Sequence, residues 1–469
     1  MERRFENRRE EVLADCQVPP ALFDEMMERL VTFAVPYVER LCRPEQREHA
    51  QTYLQGLLSD LQQKNAERIA YRHDEDRQGL QTFIGTAPWD HRPLLDELAA
   101  QVARELGEPD GVLVFDPSAF AKKGKHSVGV ARQWCGRLGK KENCQVGVFL
   151  GYVSRKEHAL VDMRLYLPEE WTKDRNRCKA AGVPRKEMRL RTRHELALEM
   201  LDSKGPVLPH AWIAGDDEMG RPAHFRRELA DRGERYLLAV PSNTTIRDLE
   251  TKPPAYSGHG RRPRSAFQQV RAWCDSLPAS AWTRLEVRDA EKGPLEVEIV
   301  KRRVLAKLDK KIGPEETLVV IRSLDEERKV KTDYHLSNAP AETSLAEFAR
   351  VANAEHRIEE CIKRAKGEAG MAQYQARNWL GWHHHITLSL IATWFLLCET
   401  LRGKKMTPAI TVPQIRQRFA QILRGALGCD TPERIRRECE RWLVRNKLAN
   451  LDHHNAHKHL PRRKFHPRK

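Results

Sequence analysis

The spacing of apolar residues divides the chain into segments of different predicted structure. Up to about residue 108, apolar residues recur at three-and-four spacing, which is the period of an amphipathic helix. The clearest examples are ALFDEMMERLVTFAVPYVERL, EQREHAQTYLQGLLSDLQQ and RPLLDELAAQVARELG. The N-terminal part of the chain is therefore predicted to be helical.

From Gly111 the period shortens to that of β-strands. GVLVF, CQVGVFLGYV and HALVDMRLYLP predict three strands, and a helix is expected over roughly 186–202. AWIAG then predicts a fourth strand, RPAHFRRELADRG a helix that ends at Gly233, and RYLLAV a fifth strand. This order is typical of an α/β fold in which helices flank a mixed sheet, with chemistry at the strand ends.

Strand-like segments return between about residues 243 and 340, after a stretch rich in Pro, Gly and Arg. The segments TRLEVRD, LEVEIVKRRV, TLVVIRS and VKTDYHLS predict a β-rich insertion, and SLAEFARVANAEHRIEECIKRAKGE resumes the helical period. The predicted division is a helical N-terminal domain (1–108), the first part of an α/β core (109–242), the β-rich insertion (243–340), the second part of the core (341–405) and a helical C-terminal region with a basic tail (406–469).

Composition narrows the class of protein. The chain carries 82 Lys and Arg against 66 Asp and Glu, a formal net charge of +16, so a polyanion is the expected partner. Its 10 cysteines include no C-x-x-C pair, which argues against a zinc ribbon and a disulfide framework.

No apolar leader opens the chain, and the apolar stretch 388–397 has about half of the roughly 20 residues that cross a bilayer. We therefore expect a cytoplasmic protein in which that stretch is a buried helix.

Three acidic residues occupy positions from which they could bind metal ions. Asp116 ends the apolar run GVLVF, Asp216 follows AWIAG, and Glu359 lies in the charged helical stretch HRIEECIKRAKGE. Two carboxylates at strand ends and a third from a distant helix can converge on a pair of magnesium ions. The predicted chemistry is cleavage or transfer of phosphodiester bonds.

Lysines accompany these acids. Lys122, Lys123 and Lys125 follow the first acid closely, and Lys366 lies about two helical turns after Glu359 on the same face, so all four could contact phosphate.

Each acid also has a plain structural interpretation. Asp116 could be a turn residue before Pro117, Asp216 could belong to a solvated acidic loop with Asp217, and Glu359 could belong to a solvated helix face. The residues taken singly leave these alternatives open.

Several blocks taken in order are more specific than any single motif. They are VFDPSAFAKKGKHSVGVARQW, NCQVGVFLGYVS, WIAGDDEMG, YHLSNAP and RIEECIKRAKGEAGMAQYQARNWLGWHHHITLSLIA. With them the chain resembles bacterial insertion-sequence transposases of the DDE superfamily over most of residues 20–400. The resemblance implies a ribonuclease-H-like catalytic core, an N-terminal domain that binds DNA, and Asp116, Asp216 and Glu359 as catalytic residues and metal ligands.

The same resemblance implies cofactors and partners. Two Mg²⁺ ions per site are expected, with Mn²⁺ as a substitute, and the partners are double-stranded DNA at transposon ends and at the target. A homodimer is expected to pair the two ends, and a nucleoid-associated location in a bacterium follows. Metal-assisted hydrolysis at the element end would release a 3′-hydroxyl, which is then joined to target DNA.

The chain departs from the family pattern before the third acid. Relatives carry Tyr and Arg seven and four residues before the glutamate, where this chain has Ala352 and Glu355, and Arg357 is the nearest cation. The expected DNA contacts are therefore Lys122, Lys123, Lys125, Arg357 and Lys366. Glu360 stays a rival for the third acid.

Two other functions stay open on the sequence alone. One is a catalytically silent, transposase-derived regulator that binds DNA, although the presence of all three acids argues against it. The other is a DDE nuclease that cuts without joining.

Some conspicuous residues have competing interpretations. Trp282 could stack on an unpaired base or belong to the core of the insertion. The consecutive histidines 383–385 point in three directions on a helix, which excludes a shared metal ion and leaves packing or phosphate contacts. The histidines of the C-terminal tail are expected to belong to a flexible basic segment that touches DNA.

Overall fold

A computed structural model describes residues 9–10, 12–13, 16–253, 255–256, 258–259, 264–290, 293–308, 311–324 and 330–458. Its N-terminal part is helical, as the apolar period predicts. Two short helices, Ala66–Arg72 and Arg77–Gly85, are not among the predicted segments, because so few turns give a weak period. The helices are α1 (Met26–Val38), α2 (Pro44–Leu58), α3 (Ala66–Arg72), α4 (Arg77–Gly85) and α5 (Arg92–Leu106). Their apolar faces belong to the same buried core as the sheet that follows.

The central sheet is mixed, which confirms the predicted α/β class. Strand β3 is antiparallel to β1 on one side and to β2 and β4 on the other, while β5 runs parallel to β1 and β6 parallel to β5. The central order is therefore β4-β3-β1-β5-β6. These strands are β1 (Val112–Ala121), β2 (Ala131–Cys135), β3 (Lys140–Val153), β4 (His158–Leu165), β5 (Trp212–Gly215) and β6 (Tyr236–Val240).

Helices connect the strands of this sheet. The helix predicted over 186–202 instead begins after Thr192, because Thr192 and Glu195 form a capping box there. The helix predicted to end at Gly233 ends two residues earlier, and Gly233 takes the positive φ of 76° that reverses the chain. The connecting helices are α6 (Glu169–Thr172), α7 (Arg175–Ala180), α8 (Arg193–Lys204), α9 (Asp217–Gly220) and α10 (Ala223–Asp231).

The β-rich segment continues the central sheet. Strand β12 pairs antiparallel with β6, placing Leu336 opposite Leu238, and the order then runs β12-β11-β10-β7-β8 with β9 beside β10. The described strands form one 12-stranded sheet. The elements are β7 (Thr245–Asp248), β8 (Gln268–Gln269), α11 (Val270–Asp275), β9 (Thr283–Ala290), β10 (Gly293–Leu308), β11 (Lys311–Leu324) and β12 (Val330–Ser337).

A second apolar core lies under this extension of the sheet, around Ile246, Val304 and Leu336. Trp282 packs against that core, and the Arg322 guanidinium lies 3.8 Å from its ring centre. The interpretation of Trp282 as a core residue is confirmed.

Four helices complete the described chain. They are α12 (Leu345–Glu368), α13 (Trp379–Lys404), α14 (Val412–Ala426) and α15 (Pro432–Lys458). Among the described helices, α13 alone is long and apolar enough to cross a membrane, with a mean hydropathy of 1.3 in its most apolar window. Because 78% of that window is buried inside the protein, α13 is the buried helix that the sequence predicts.

The three histidines of α13 are all buried, which confirms packing and excludes phosphate contact. His383 Nδ1 lies 2.9 Å from the Trp379 carbonyl, and His385 Nδ1 lies 2.9 Å from a tyrosine hydroxyl. His384 lies 2.9 Å from the carbonyls of both Ile84 and Trp89. Burial lowers the pKa of each, to about 3 for His383 and His385 and about 4 for His384, so these rings are neutral at pH 7.

The C-terminal region differs from its prediction. Helix α15 runs through residues 453–457, so His453 and His454 lie on a helix instead of in an irregular tail. Near its start, Arg437 and Arg441 of this helix pair with Asp74. His459 and the remaining predicted basic tail lie outside the described residues.

Candidate active site

Asp116 and Asp216 lie side by side on neighbouring parallel strands. The last parallel pair of β1 and β5 is Phe115 with Gly215, and each aspartate is the next residue. Neighbouring strands are about 4.8 Å apart, and residues in register face the same side of a sheet. β5 ends here, whereas β1 continues to Ala121, so Asp116 lies within its strand and not at its end as predicted.

The two aspartates are held differently. Asp116 follows four buried apolar residues and lies opposite Phe149 of β3, so its backbone is fixed by pairing with β3. Asp216 is the N-cap of α9, and its Oδ1 accepts a hydrogen bond of 3.0 Å from the Met219 amide. Both carboxylates therefore start from a backbone position that is set by secondary structure.

Helix α12 crosses the sheet above them. It packs against β1, β3, β4 and β5, and Ile358 approaches β3 so closely that a Cβ at Gly151 would lie 2.3 Å from its Cδ1. Because Gly151 has no side chain, the helix can pack closely against the sheet. Glu359 lies one residue further along α12, with 58% of its side chain exposed.

Lys366 reaches the same place from the end of α12. Its Nζ donates hydrogen bonds to Ser118 Oγ at 2.8 Å and to the Ala119 carbonyl at 3.3 Å, both just past Asp116 on β1. The structure thus brings together Asp116, Asp216, Glu359 and Lys366.

The acids strongly influence one another. Burial and then the charge of Glu359 raise the pKa of Asp116 to about 7, while the charge of Lys366 lowers it. Burial and then the charge of Asp116 raise the pKa of Asp216 to about 8, against the hydrogen bond from Met219. A site with more negative charge than it can neutralise is suited to a bound cation.

Glu355 belongs to this cluster, although the sequence analysis did not propose it. Burial raises its pKa well above the usual value, and Asp216, Glu359 and Asp116 raise it further in that order. Glu355 lies four residues before Glu359, so both residues lie on one helix face. This spacing could have identified Glu355 as a candidate from the sequence. Its burial could not be read from a charged helix.

Glu360, the rival for the third acid, has other partners. Its carboxylate lies 3.5 Å from His356 Nε2 and 3.8 Å from Arg364, both on the same helix.

The predicted DNA contacts lie in different environments. Lys123 and Lys125 are exposed in the loop after β1. Lys122 Nζ instead lies 3.3 Å from the ring centre of Tyr374, and burial lowers its pKa to about 8. Arg357 points to another side of α12, where it donates to the Ser154 carbonyl at 2.8 Å.

The donor set fits hard divalent cations, which prefer carboxylate oxygens. In the described parts of the chain, no three His, Cys, Asp or Glu side chains already stand together as ligands of one ion. The fit therefore rests on the adjacent backbones of the two aspartates, the helix above them and the shared negative charge.

Comparison with known proteins decides the family. Residues 36–294, more than half of the chain, match the family described as DDE superfamily endonuclease. The chain belongs to the DDE superfamily endonucleases. The resemblance to DDE insertion-sequence transposases is thereby confirmed.

Two known proteins are similar to this DDE endonuclease. Over 207 residues it is 31% identical to the probable transposase for insertion sequence element IS701 of Microchaete diplosiphon, covering 41% of this chain and 49% of that protein. The chain thus spans about half the length of this curated relative. A piggyBac transposase synaptic complex with hairpin DNA aligns with 88% of this chain and 81% of its own, at 10% identity and a TM-score of 0.37.

Proposed function

We propose that this DDE endonuclease is a DNA transposase that binds the terminal inverted repeats of its element, cleaves phosphodiester bonds there and transfers the 3′-hydroxyl ends to target DNA. The observation that carries the proposal is the juxtaposition of Asp116 and Asp216 in register beneath the glutamates of α12. A mixed sheet with acids on neighbouring strands also supports a ribonuclease-H-like core.

Asp116, Asp216 and Glu359 would hold two Mg²⁺ ions, for which Mn²⁺ can substitute. Such ions, when bound, supply an activated water and stabilise the charge of the attacking and leaving oxygens. The protein contributes alignment, because the aspartates are fixed by the sheet and the glutamate by a packed helix. One such site could serve hydrolysis first and strand transfer afterwards.

Lys366 has a separate role in this proposal. Its hydrogen bonds to Ser118 and Ala119 fix its ammonium group beside Asp116, where it lowers the pKa of the aspartate. The same positive charge would favour a scissile phosphate entering from solvent.

A basic surface on the hairpin of β2 and β3 supports a DNA partner. The hairpin of β2 and β3 exposes Arg132, Trp134 and Lys141 on one face, with Trp134 opposite Lys141 and 55% exposed. Asn143 of the same hairpin donates to the carbonyls of Lys122 and Gly124, which joins the lysine loop to the hairpin. Exposed cations around an aromatic ring are suited to a DNA backbone and its bases. We propose that two copies of the chain pair two DNA ends.

The test is cleavage of a labelled fragment that carries the element end. We expect cleavage with Mg²⁺, none with Ca²⁺, and none with Asp116→Asn, while Asp217→Asn serves as a control because Asp217 is an exposed neighbour that pairs with Arg221. Full cleavage by folded Asp116→Asn would overturn the proposal. Joining of the 3′-hydroxyl to target DNA separates a transposase from a nuclease that only cuts, and specific binding without cleavage would indicate a silent regulator.

A further inference from the structure

Two pairs of carboxylates face each other between the sheet and α12. Asp116 and Asp216 are neighbours across strands about 4.8 Å apart. Glu355 and Glu359 are neighbours along α12, where four residues rise about 6 Å. The ions of two-metal sites are about 3.5–4 Å apart, so both spacings suit a row of two ions between the pairs.

The electrostatic interactions between the carboxylates associate particular glutamates of α12 with particular aspartates of the sheet. The carboxylate with the largest influence on Asp116 is Glu359. The carboxylate with the largest influence on Glu355 is Asp216. These interactions associate Glu359 with Asp116 and Glu355 with Asp216.

Glu355 lies among more acidic groups than cations within the described residues. Burial and then the charges of Asp216, Glu359, Asp116 and Asp333 raise its pKa. Lys331 also interacts with Glu355, but its stronger partner is Asp333. The nearby Lys331 lies 3.2 Å from Asp333, with which it pairs. A partly buried carboxylate that faces three other acids and shares one lysine with Asp333 is suited to a positive charge from outside the protein.

We propose that Glu355 is a fourth metal ligand, which binds the ion at Asp216 while Glu359 binds the ion at Asp116. This inference rests on the proposed function, because it assumes that the acids hold divalent cations. It assigns the two glutamates of α12 to different ions. Substitution of either glutamate should therefore weaken the binding of one ion more than that of the other.

The test measures binding of Mn²⁺ alone to the full chain, by calorimetry and by the paramagnetic signal of free Mn²⁺. Glu355→Gln should weaken one of two bound ions at least ten-fold and leave the other within about three-fold, in line with the 10–100-fold losses typical of altered metal sites. Glu360→Gln is the matched control, since it makes the same change on the same helix in a glutamate that already pairs with His356 and Arg364. It should bind Mn²⁺ as the unaltered protein does.

The outcomes separate the inference from the function on which it rests. If Asp116→Asn loses Mn²⁺ but Glu355→Gln keeps both ions, the inference fails and the proposed function stands. If Asp116→Asn also keeps both ions, the site itself is wrong.

Thermal melting in EDTA gives a second readout. Removing a charge that the neighbouring acids repel should raise the melting temperature of Glu355→Gln above that of the unaltered protein. A lower melting temperature would show that Glu355 stabilises the fold without metal and would overturn its assignment as a ligand.

Discussion

Arg226 and Glu316 form an ion pair almost completely shielded from water. Arg226 Nε lies 2.7 Å from Glu316 Oε1, and the two side chains are 2% and 0% exposed. Tyr236 donates a further hydrogen bond of 2.7 Å to Glu316, and Arg226 also donates to the Gly220 carbonyl. The pair therefore ties the segment that follows Asp216 to β11 in the extension of the sheet.

Glu316→Ala should destabilise the protein by about 3–5 kcal/mol, because it leaves a buried guanidinium without its partner. The measurement is the free energy of unfolding from urea denaturation. Glu315→Ala is the control, since Glu315 is half exposed and pairs with exposed Arg303. It should cost no more than about 1 kcal/mol. Equal losses for the two variants would contradict the assigned role of burial.

The raised pKa values of Asp116 and Asp216 predict how metal-free stability depends on pH. Folding raises both values, to about 7 and about 8, so the folded state binds more protons than the unfolded state above pH 4. Stability in EDTA should therefore fall as the pH rises from 5 to 8, at up to about 1.4 kcal/mol per pH unit for each group. Asp216→Asn should flatten this dependence, whereas Asp217→Asn should keep it; an equal slope in all three proteins would count against the shifts.

Lys366→Ala should lower the rate of DNA cleavage at saturating Mg²⁺ by roughly 10²-fold, because a fixed positive charge beside the reacting phosphate is lost. The control is Lys363→Ala, an exposed lysine elsewhere on the same helix. Single-turnover rates compare the two variants. If both cleave as fast as the unaltered protein, Lys366 acts only in packing.

The exposed hairpin of β2 and β3 should contribute to DNA affinity in two distinguishable ways. Lys141→Ala should reduce the slope of log K against log salt by about 0.9, as expected for one lost phosphate contact. Trp134→Ala should weaken binding by about 1–3 kcal/mol without changing that slope, if its ring stacks on a base. Trp442→Ala is the control, since Trp442 is 61% exposed on the distant α15. Equal effects of the two tryptophans would refute a specific contact.

Lys122 is expected to differ from its neighbours in the same loop. Because its ammonium group lies over the Tyr374 ring, Lys122→Ala should lower the melting temperature of the protein. Lys123→Ala should leave the melting temperature unchanged and reduce the salt dependence of DNA binding. A reduced salt slope for Lys122→Ala at an unchanged melting temperature would restore the phosphate contact that the sequence predicts.

The sequence predicted the strands around Asp116 and Asp216, because short apolar runs that end in acids are visible locally. It could not predict that the two aspartates are in register, since strand pairing depends on contacts between distant segments. The same limit explains why the β-rich segment was predicted as an insertion and not as a continuation of the sheet through β6 and β12.

The sequence of a charged helix does not show which of its glutamates face the rest of the protein. Glu355, Glu359 and Glu360 look alike in the sequence. In the structure Glu355 faces the aspartates from a partly buried position, Glu359 is exposed beside His356, and Glu360 pairs with both His356 and Arg364. Only the packing of α12 on β3 separates them. The histidines of α13 show the opposite case, because their incompatible directions were enough to exclude a shared metal ion.

The order in which the ribosome makes the parts of the acidic site also has a consequence. Asp116 and Asp216 emerge with the central strands, whereas α12 is made only after the whole β-rich extension. At roughly 5–20 residues per second, on the order of ten seconds separates Asp216 from Glu359 during synthesis. A nascent or prematurely ended chain would thus carry basic surface without a complete set of carboxylates.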